Sequence, residues 1–214
     1  MRQNGRMAVG PTRRRSAEVT RRKLLETGRH AFAALGHDGV NLQRDILTPA
    51  GVSVGSFYHQ FHDKTDLLVA VIDEANELGR AVVTEEMTAP ADPVAATRAA
   101  YARWFASVDR GEDMVRIHMR ERYSADPRIR SALERSREAW VDGWAASFQR
   151  FARADSCFDP RSAAQIVVAV GLGLLLSYLD ASPEDRPALR RELLDAVVPF
   201  TIGGFVALGA VPPG

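Results

Sequence analysis

The stretch GVSVGSFYHQFHDKTDLL, from Gly51 to Leu68, mixes two kinds of residue. Phe57 and Phe61 stand four apart, the spacing of one helix face. Around them lie the hydroxyls of Ser53 and Ser56, the phenol of Tyr58, the imidazole of His59 and the ammonium of Lys64. Such groups, carried on the outside of a short helix with small residues at its start, are suited to phosphate oxygens and base edges. Other polar groups offer less. His118 with Glu121 is a fragment of metal-binding spacing, but no HExxH or other complete ligand set accompanies it. Asp109, Glu112 and Asp113 read as a solvated helix junction, Cys157 has no histidine near it in sequence, and no glycine loop cradles a phosphate. No catalytic residue, metal or cofactor is expected, and an enzyme is not.

The 214 residues are 46% hydrophobic and 26% charged, the balance of a soluble globular chain. A single cysteine excludes an internal disulfide framework and fits a reducing compartment. The N-terminal residues lack the apolar core of a signal peptide, and the greasy run Ile166–Leu176 falls short of the roughly 20 residues that cross a bilayer. A cytoplasmic location with no membrane partner is the expectation. The net charge of +1 hides an asymmetry: residues 1–64 hold 11 Arg or Lys against 5 Asp or Glu, while the remainder holds 17 against 22. One end is built to meet a polyanion.

Helical periodicity accounts for nearly everything after a basic arm expected to be disordered over residues 1–16. From about Ala17, Leu24, Gly28, Ala31, Phe32 and Leu35 share a face, and Gly36 and Gly39 end the helix. A second helix is predicted over Leu42–Thr48 with Asn41 as candidate cap and Pro49 in a distorted last turn. Gly51 reverses the chain, Ser53 caps a third helix to about Phe61, and Asp63 and Asp66 favour the start of a fourth that runs to about Met87. Further helices are predicted over 93–109, 112–122, 127–154, 161–180 and 187–209, with no strand alternation. The fold class is all-α: an N-terminal three-helix domain with a helix-turn-helix over 17–64, then a larger helical domain over 65–214. In a helix-turn-helix the second of the paired helices enters the major groove of double-stranded DNA.

The run RDILTPAGVSVGSFYHQFHDKTDLLVAV resembles the DNA-binding domain of the TetR family of bacterial transcriptional regulators. The matching positions are Ile46; Gly51, Val52 and Ser53; Phe57 and Tyr58; Phe61, Lys64, Asp66, Leu67 and Leu68. The resemblance covers about residues 17–72. It implies a homodimer on a palindromic operator and, usually, repression relieved by a small ligand. Two departures stand out: Leu42 sits where the family places a threonine or serine cap, so the reciprocal capping box is expected to be missing, and Pro49 replaces a good helix former.

The candidate DNA-contacting residues are Arg15, Asn41, Arg44, Ser53, Val54, Ser56, Tyr58, His59 and Lys64. His59 and Gln60 are the long side chains in the reading helix able to touch a base edge. Half-sites on a dimer would lie about 34–36 Å apart or a multiple of that. Behind this domain, Tyr101, Trp104, Phe105, His118, Arg122, Trp140 and Trp144 are the candidate lining of an effector pocket for an unidentified small molecule, or equally the core. The apolar last helices, with Gly171, Gly173, Gly203 and Gly204, are the candidate dimer surface. The competing reading is a helical protein-interaction module that does not bind DNA.

Overall fold

In the computed structural model, which describes residues 11–85, 92–149, 152 and 157–210, the chain is helical throughout the described residues. Helix α1 spans Pro11–Gly39, with a break at Gly36, whose φ of 70° and ψ of 166° leave the helical region. An L side chain rarely adopts that φ, so the glycine marks where the helix ends in effect. The helix starts six residues before the expected Ala17, so Pro11–Ser16 of the predicted arm is helical; residues 1–10 of that arm lie outside the described residues. Leu24, Phe32 and Ala31 are buried as predicted, but Leu35 is exposed, because it lies beside the break rather than under a neighbouring helix.

Helix α2 comprises a π-helical segment, Leu42–Leu47, continued by the single α-turn Thr48–Ala50. A π-turn absorbs a residue that is out of register. Here it precedes Pro49, which has no amide hydrogen and occupies the first positions of the last turn. Thr48 closes the wide turn with both amide and hydroxyl on the Gln43 carbonyl, the hydroxyl at 2.9 Å. Gly51, at φ 62° and ψ 36°, then supplies the left-handed residue that ends α2.

Helix α3 is short, Val54–Tyr58, and α4 follows over Lys64–Glu85. The start of α4 is capped by two aspartates: Asp63 accepts the Asp66 amide at 2.7 Å, and Asp66 accepts the His62 amide at 3.0 Å. The remaining helices are α5 (Pro93–Arg110), α6 (Glu112–Glu121), α7 (Pro127–Phe148), α8 (Pro160–Asp180) and α9 (Arg186–Ala207). The expected end of α7 at Ala154 lies outside the described residues. Helix α8 extends well beyond the Ile166–Leu176 run, and its 21 residues are long and apolar enough, by length and composition, to cross a membrane; 33% of that window is buried.

The chain divides into two compact units. The first consists of the described residues up to Glu74 together with Arg116–Leu133. Its core is Leu24, Phe32, Ile46, Leu47, Phe57, Phe61, Leu67, Leu68 and Ile72, joined by Ile117 and Ile129, with relative exposures of 3% or less. The second runs over Ala75–Val115 and from Glu134 onward, and is built on contacts of α5 with α9 and of α8 with α9. Its core is aromatic. Rings 4.7–6.5 Å apart link Trp104 to Phe105 and Tyr101, Tyr101 to Trp144, Trp144 to Phe148, Phe148 to Phe205, and Phe205 to Phe158.

Candidate nucleic-acid interface

Helix α3 presents two unlike faces. Ser53 caps it, its Oγ accepting the Ser56 amide at 3.2 Å and donating to Ser56 Oγ at 2.9 Å. Phe57 is fully buried with its ring 5.8 Å from Phe61, and the Arg21 guanidinium lies 4.8 Å over the Phe61 ring. Turning outward are Val54, 49% exposed, Tyr58, 59% exposed, and the exposed Ser53, Gly55 and His59. The Tyr58 ring leans edge-on against Phe57 at 5.2 Å, which sets the direction of its phenol. The packed side therefore fixes the pose of the outer side. Gln60 is already engaged: its side-chain amide donates to the Ala17 carbonyl at 3.1 Å, tying the end of α3 to α1 rather than leaving a free donor.

The start of α2 departs from expectation. Asn41 Oδ1 accepts the Arg44 amide at 2.9 Å, and Asp45 Oδ2 accepts the Asn41 amide at 2.8 Å. The reciprocal box expected to be missing is present, displaced by one residue: with Asn41 rather than Leu42 as cap, Asp45 sits four residues on, close enough to reach back. Asp45 also holds Arg44, whose Nε and Nη2 lie 2.6 and 2.9 Å from its two oxygens. Arg44 is exposed, but its charge is half spoken for; the hydrogen bond and charge of Asp45 push its pKa up. The Arg44 hydrogen bond and the Asn41 amide hold the Asp45 carboxyl below its ordinary value.

Lys64 has a structural occupation. Its Nζ donates to the carbonyls of His37 at 2.7 Å and Val40 at 3.1 Å, both part-buried. The His37 carbonyl belongs to the last turn of α1, where helical partners run out, and the Val40 carbonyl follows directly after it. Arg15, in the first half of α1, is exposed. A residue singled out by no sequence pattern also joins the unit: Arg128 donates to Asp63 at 3.0 Å and to Asp126 at 3.0 Å. Burial works against the Asp63 charge, yet the Asp66 amide and the Arg128 guanidinium together bring its carboxyl below the usual range.

The residues considered for an effector pocket divide between the units. Tyr101, Trp104, Phe105, Trp140 and Trp144 lie in the second unit, while His118 and Arg122 belong to the first. Tyr101 and Phe105 are buried to within 1%, and the Tyr101 hydroxyl shares a hydrogen bond of 3.0 Å with Thr201 Oγ1. Burial pushes the Tyr101 phenol up, with Thr201 opposing. Trp104, Trp140 and Trp144 are partly exposed, and Trp104 lies 3.2 Å from where a Cβ on Gly171 would stand. Arg122 is exposed, its guanidinium 4.7 Å over the ring of Tyr123. Among the described residues, no group of three His, Cys, Asp or Glu side chains is placed to hold a metal ion.

Residues 24–71, which hold the capped α2, the Gly51 turn and the two-faced α3, match the family model of bacterial regulatory proteins, tetR family. Solved structures share the fold over most of the chain. Escherichia coli NemR in its reduced form is 21% identical over 85% of this chain and 94% of that one, with a TM-score of 0.67. Bacillus subtilis FadR, solved with stearoyl-CoA, is 14% identical over 83% and 97%, at 0.68. AibR, solved with isovaleryl coenzyme A and operator DNA, is 22% identical over 91% and 100%, at 0.63.

Proposed function

We propose that the protein is a homodimeric repressor that binds a palindromic operator through α3 and is released by a small molecule taken up in the second unit. The observation that carries the DNA-binding part is the two-faced α3, where Phe57 at 0% exposure anchors Val54 at 49% and Tyr58 at 59%. Ser53, Ser56 and Tyr58 supply hydroxyls for phosphates, Val54 suits a thymine methyl, and His59 is the side chain free to read a base edge. Arg15 adds phosphate contacts from α1. Asn41 contributes by fixing the start of α2, and Arg44 reaches a phosphate by exchanging its bond to Asp45.

The dimer is supported by the outward faces of α8 and α9. Ile166, Leu172 and Leu176 on α8, Phe200 and Val206 on α9, and Leu208 just past its end are 40–66% exposed. A Cβ on Gly173, Gly203 or Gly204 would meet nothing within 4 Å, whereas Gly171 is filled by Trp104. Three of the four glycines thus mark the open side, where a second copy can approach closely and form a four-helix interface. The effector reading is supported by the partly exposed Trp104 and Trp144, whose rings lie 6.5 and 5.9 Å from that of Tyr101 in the buried Tyr101–Thr201 pair, and by the partly exposed Trp140. An effector must favour a dimer geometry that does not match the operator, since equal affinity for both states shifts nothing.

Selection of duplexes from a random pool with the purified protein tests the reading. Recovery of a two-fold symmetric sequence is expected; a folded dimer that recovers none at low salt removes it. On the recovered sequence, Tyr58→Phe should weaken binding evenly across variants, and His59→Ala should relax the preference at one base pair.

A further inference from the structure

His37, directly after the α1 break, is held by every polar group it has. Its amide donates to Glu121 Oε1 at 2.6 Å, and its carbonyl accepts from Lys64 Nζ at 2.7 Å. Its ring nitrogens lie 3.0 Å from Asp38 Oδ1 and 2.8 Å from Thr65 Oγ1. Three of these partners come from elsewhere in the same unit: Lys64 and Thr65 from the start of α4, and Glu121 from the end of α6, 84 residues away in sequence. Glu121 is 7% exposed, a buried acidic side chain spent on one backbone amide. Burying such a group is costly unless it is hydrogen-bonded, so the contact is a specific one. A Cβ on Gly36 would come within 3.3 Å of Glu121 Oε1, so the break and the carboxylate fit each other closely.

We propose that Glu121 is a positioning residue for DNA binding, fixing the α1–α2 connection and hence the register of α2 and α3. The connection is four residues long, from the break at Gly36 to the α2 cap at Asn41. Lys64 grips its two ends through the His37 and Val40 carbonyls, and Val40 donates to the Gly36 carbonyl at 3.2 Å. Glu121 takes the amide that the glycine turns away from α1. Without it the connection keeps its positive clamp on the carbonyl side and loses its negative one. The cap at Asn41 then loses a fixed origin, and the exposed face of α3 with it. The inference rests on the DNA-binding reading above for its consequence, and on geometry alone for the latch.

Amide hydrogen exchange and operator binding test it on the full-length protein, wild type beside Glu121→Ala and Glu121→Gln. The wild-type His37 amide should exchange at least about 10-fold more slowly than an open amide, and E121A should abolish that protection over residues 36–41 while leaving Leu24 and Ile72 unchanged. E121A should bind the selected operator about 10-fold more weakly with an unchanged salt slope, because no phosphate contact is lost. E121Q, whose amide oxygen still accepts, should recover most of both. Exchange that rises throughout the unit, an unprotected wild-type His37 amide, or E121A binding like wild type overturns the proposal. If E121A does not fold, the wild-type amide and E121Q decide it. A wild-type protein that binds no duplex overturns the DNA-binding reading instead, and the exchange data still judge the latch.

Discussion

Asn41 and Asp45 cap the same end of α2 reciprocally, the side chain of one on the Arg44 amide and the side chain of the other on the Asn41 amide, at 2.9 and 2.8 Å. Replacing Asn41 with alanine removes one of the two. The expected loss is about 1 kcal/mol of folding stability, measured by urea unfolding, and Asn41→Ser should recover most of it. An unchanged midpoint for Asn41→Ala would mean that water serves the Arg44 amide equally well.

Lys64 donates to two carbonyls at the end of α1, so its removal is expected to act on folding more than on DNA. Lys64→Ala should cost about 1.5–3 kcal/mol, the range for hydrogen bonds that involve a charged group. The salt slope of operator binding should change by clearly less than the unit expected for a lost phosphate contact. A slope that falls by a full unit with stability intact would return Lys64 to the backbone-gripping role that its position in the sequence suggests.

Asp45 and Asp63 make stability depend on acidity. Both carboxyls are held below their ordinary value in the folded chain. Their contribution is therefore complete above the unfolded value of about 4 and is lost as pH falls through the lower folded value. Unfolding free energy should be level from pH 7 to about 5 and decline below about 4, and Asp45→Asn should make that decline shallower. A decline that begins near neutrality would point to a different group.

Phe200, 66% exposed on α9, and Leu176, 49% exposed on α8, should lie in the dimer interface. Phe200→Asp combined with Leu176→Asp should yield folded monomers by light scattering and an operator affinity lowered by orders of magnitude, because two half-sites no longer act together. A doubly substituted protein that remains a dimer would place the interface elsewhere.

What the sequence made legible was local. Phe57 and Phe61, four apart, announced a helix with a buried side, and Gly51 announced the turn before it; both are where periodicity and backbone chemistry put them. The Gly36 break and the distorted turn at Pro49 were legible for the same reason. What escaped depends on chain segments far apart. Nothing near Lys64 in sequence shows that the end of α1 lies beneath it, and nothing near Glu121 shows that it meets His37. Gln60 looked free for the same reason, although Ala17 lies beside it. The Asn41 cap of α2 was legible, but the reciprocal box was missed on spacing alone, since a one-residue displacement is enough to restore it. Leu35 fits its helical stripe but stands past the point where a neighbour covers it.

The five residues of α3 form barely more than one helical turn. So short a segment has too few backbone bonds to outweigh the cost of starting a helix, and a free peptide of the same sequence would be coil. Transplanting Val54, Tyr58 and His59 into another protein would therefore carry over their chemistry without their aim, unless the sockets that receive Phe57 and Phe61 were moved with them.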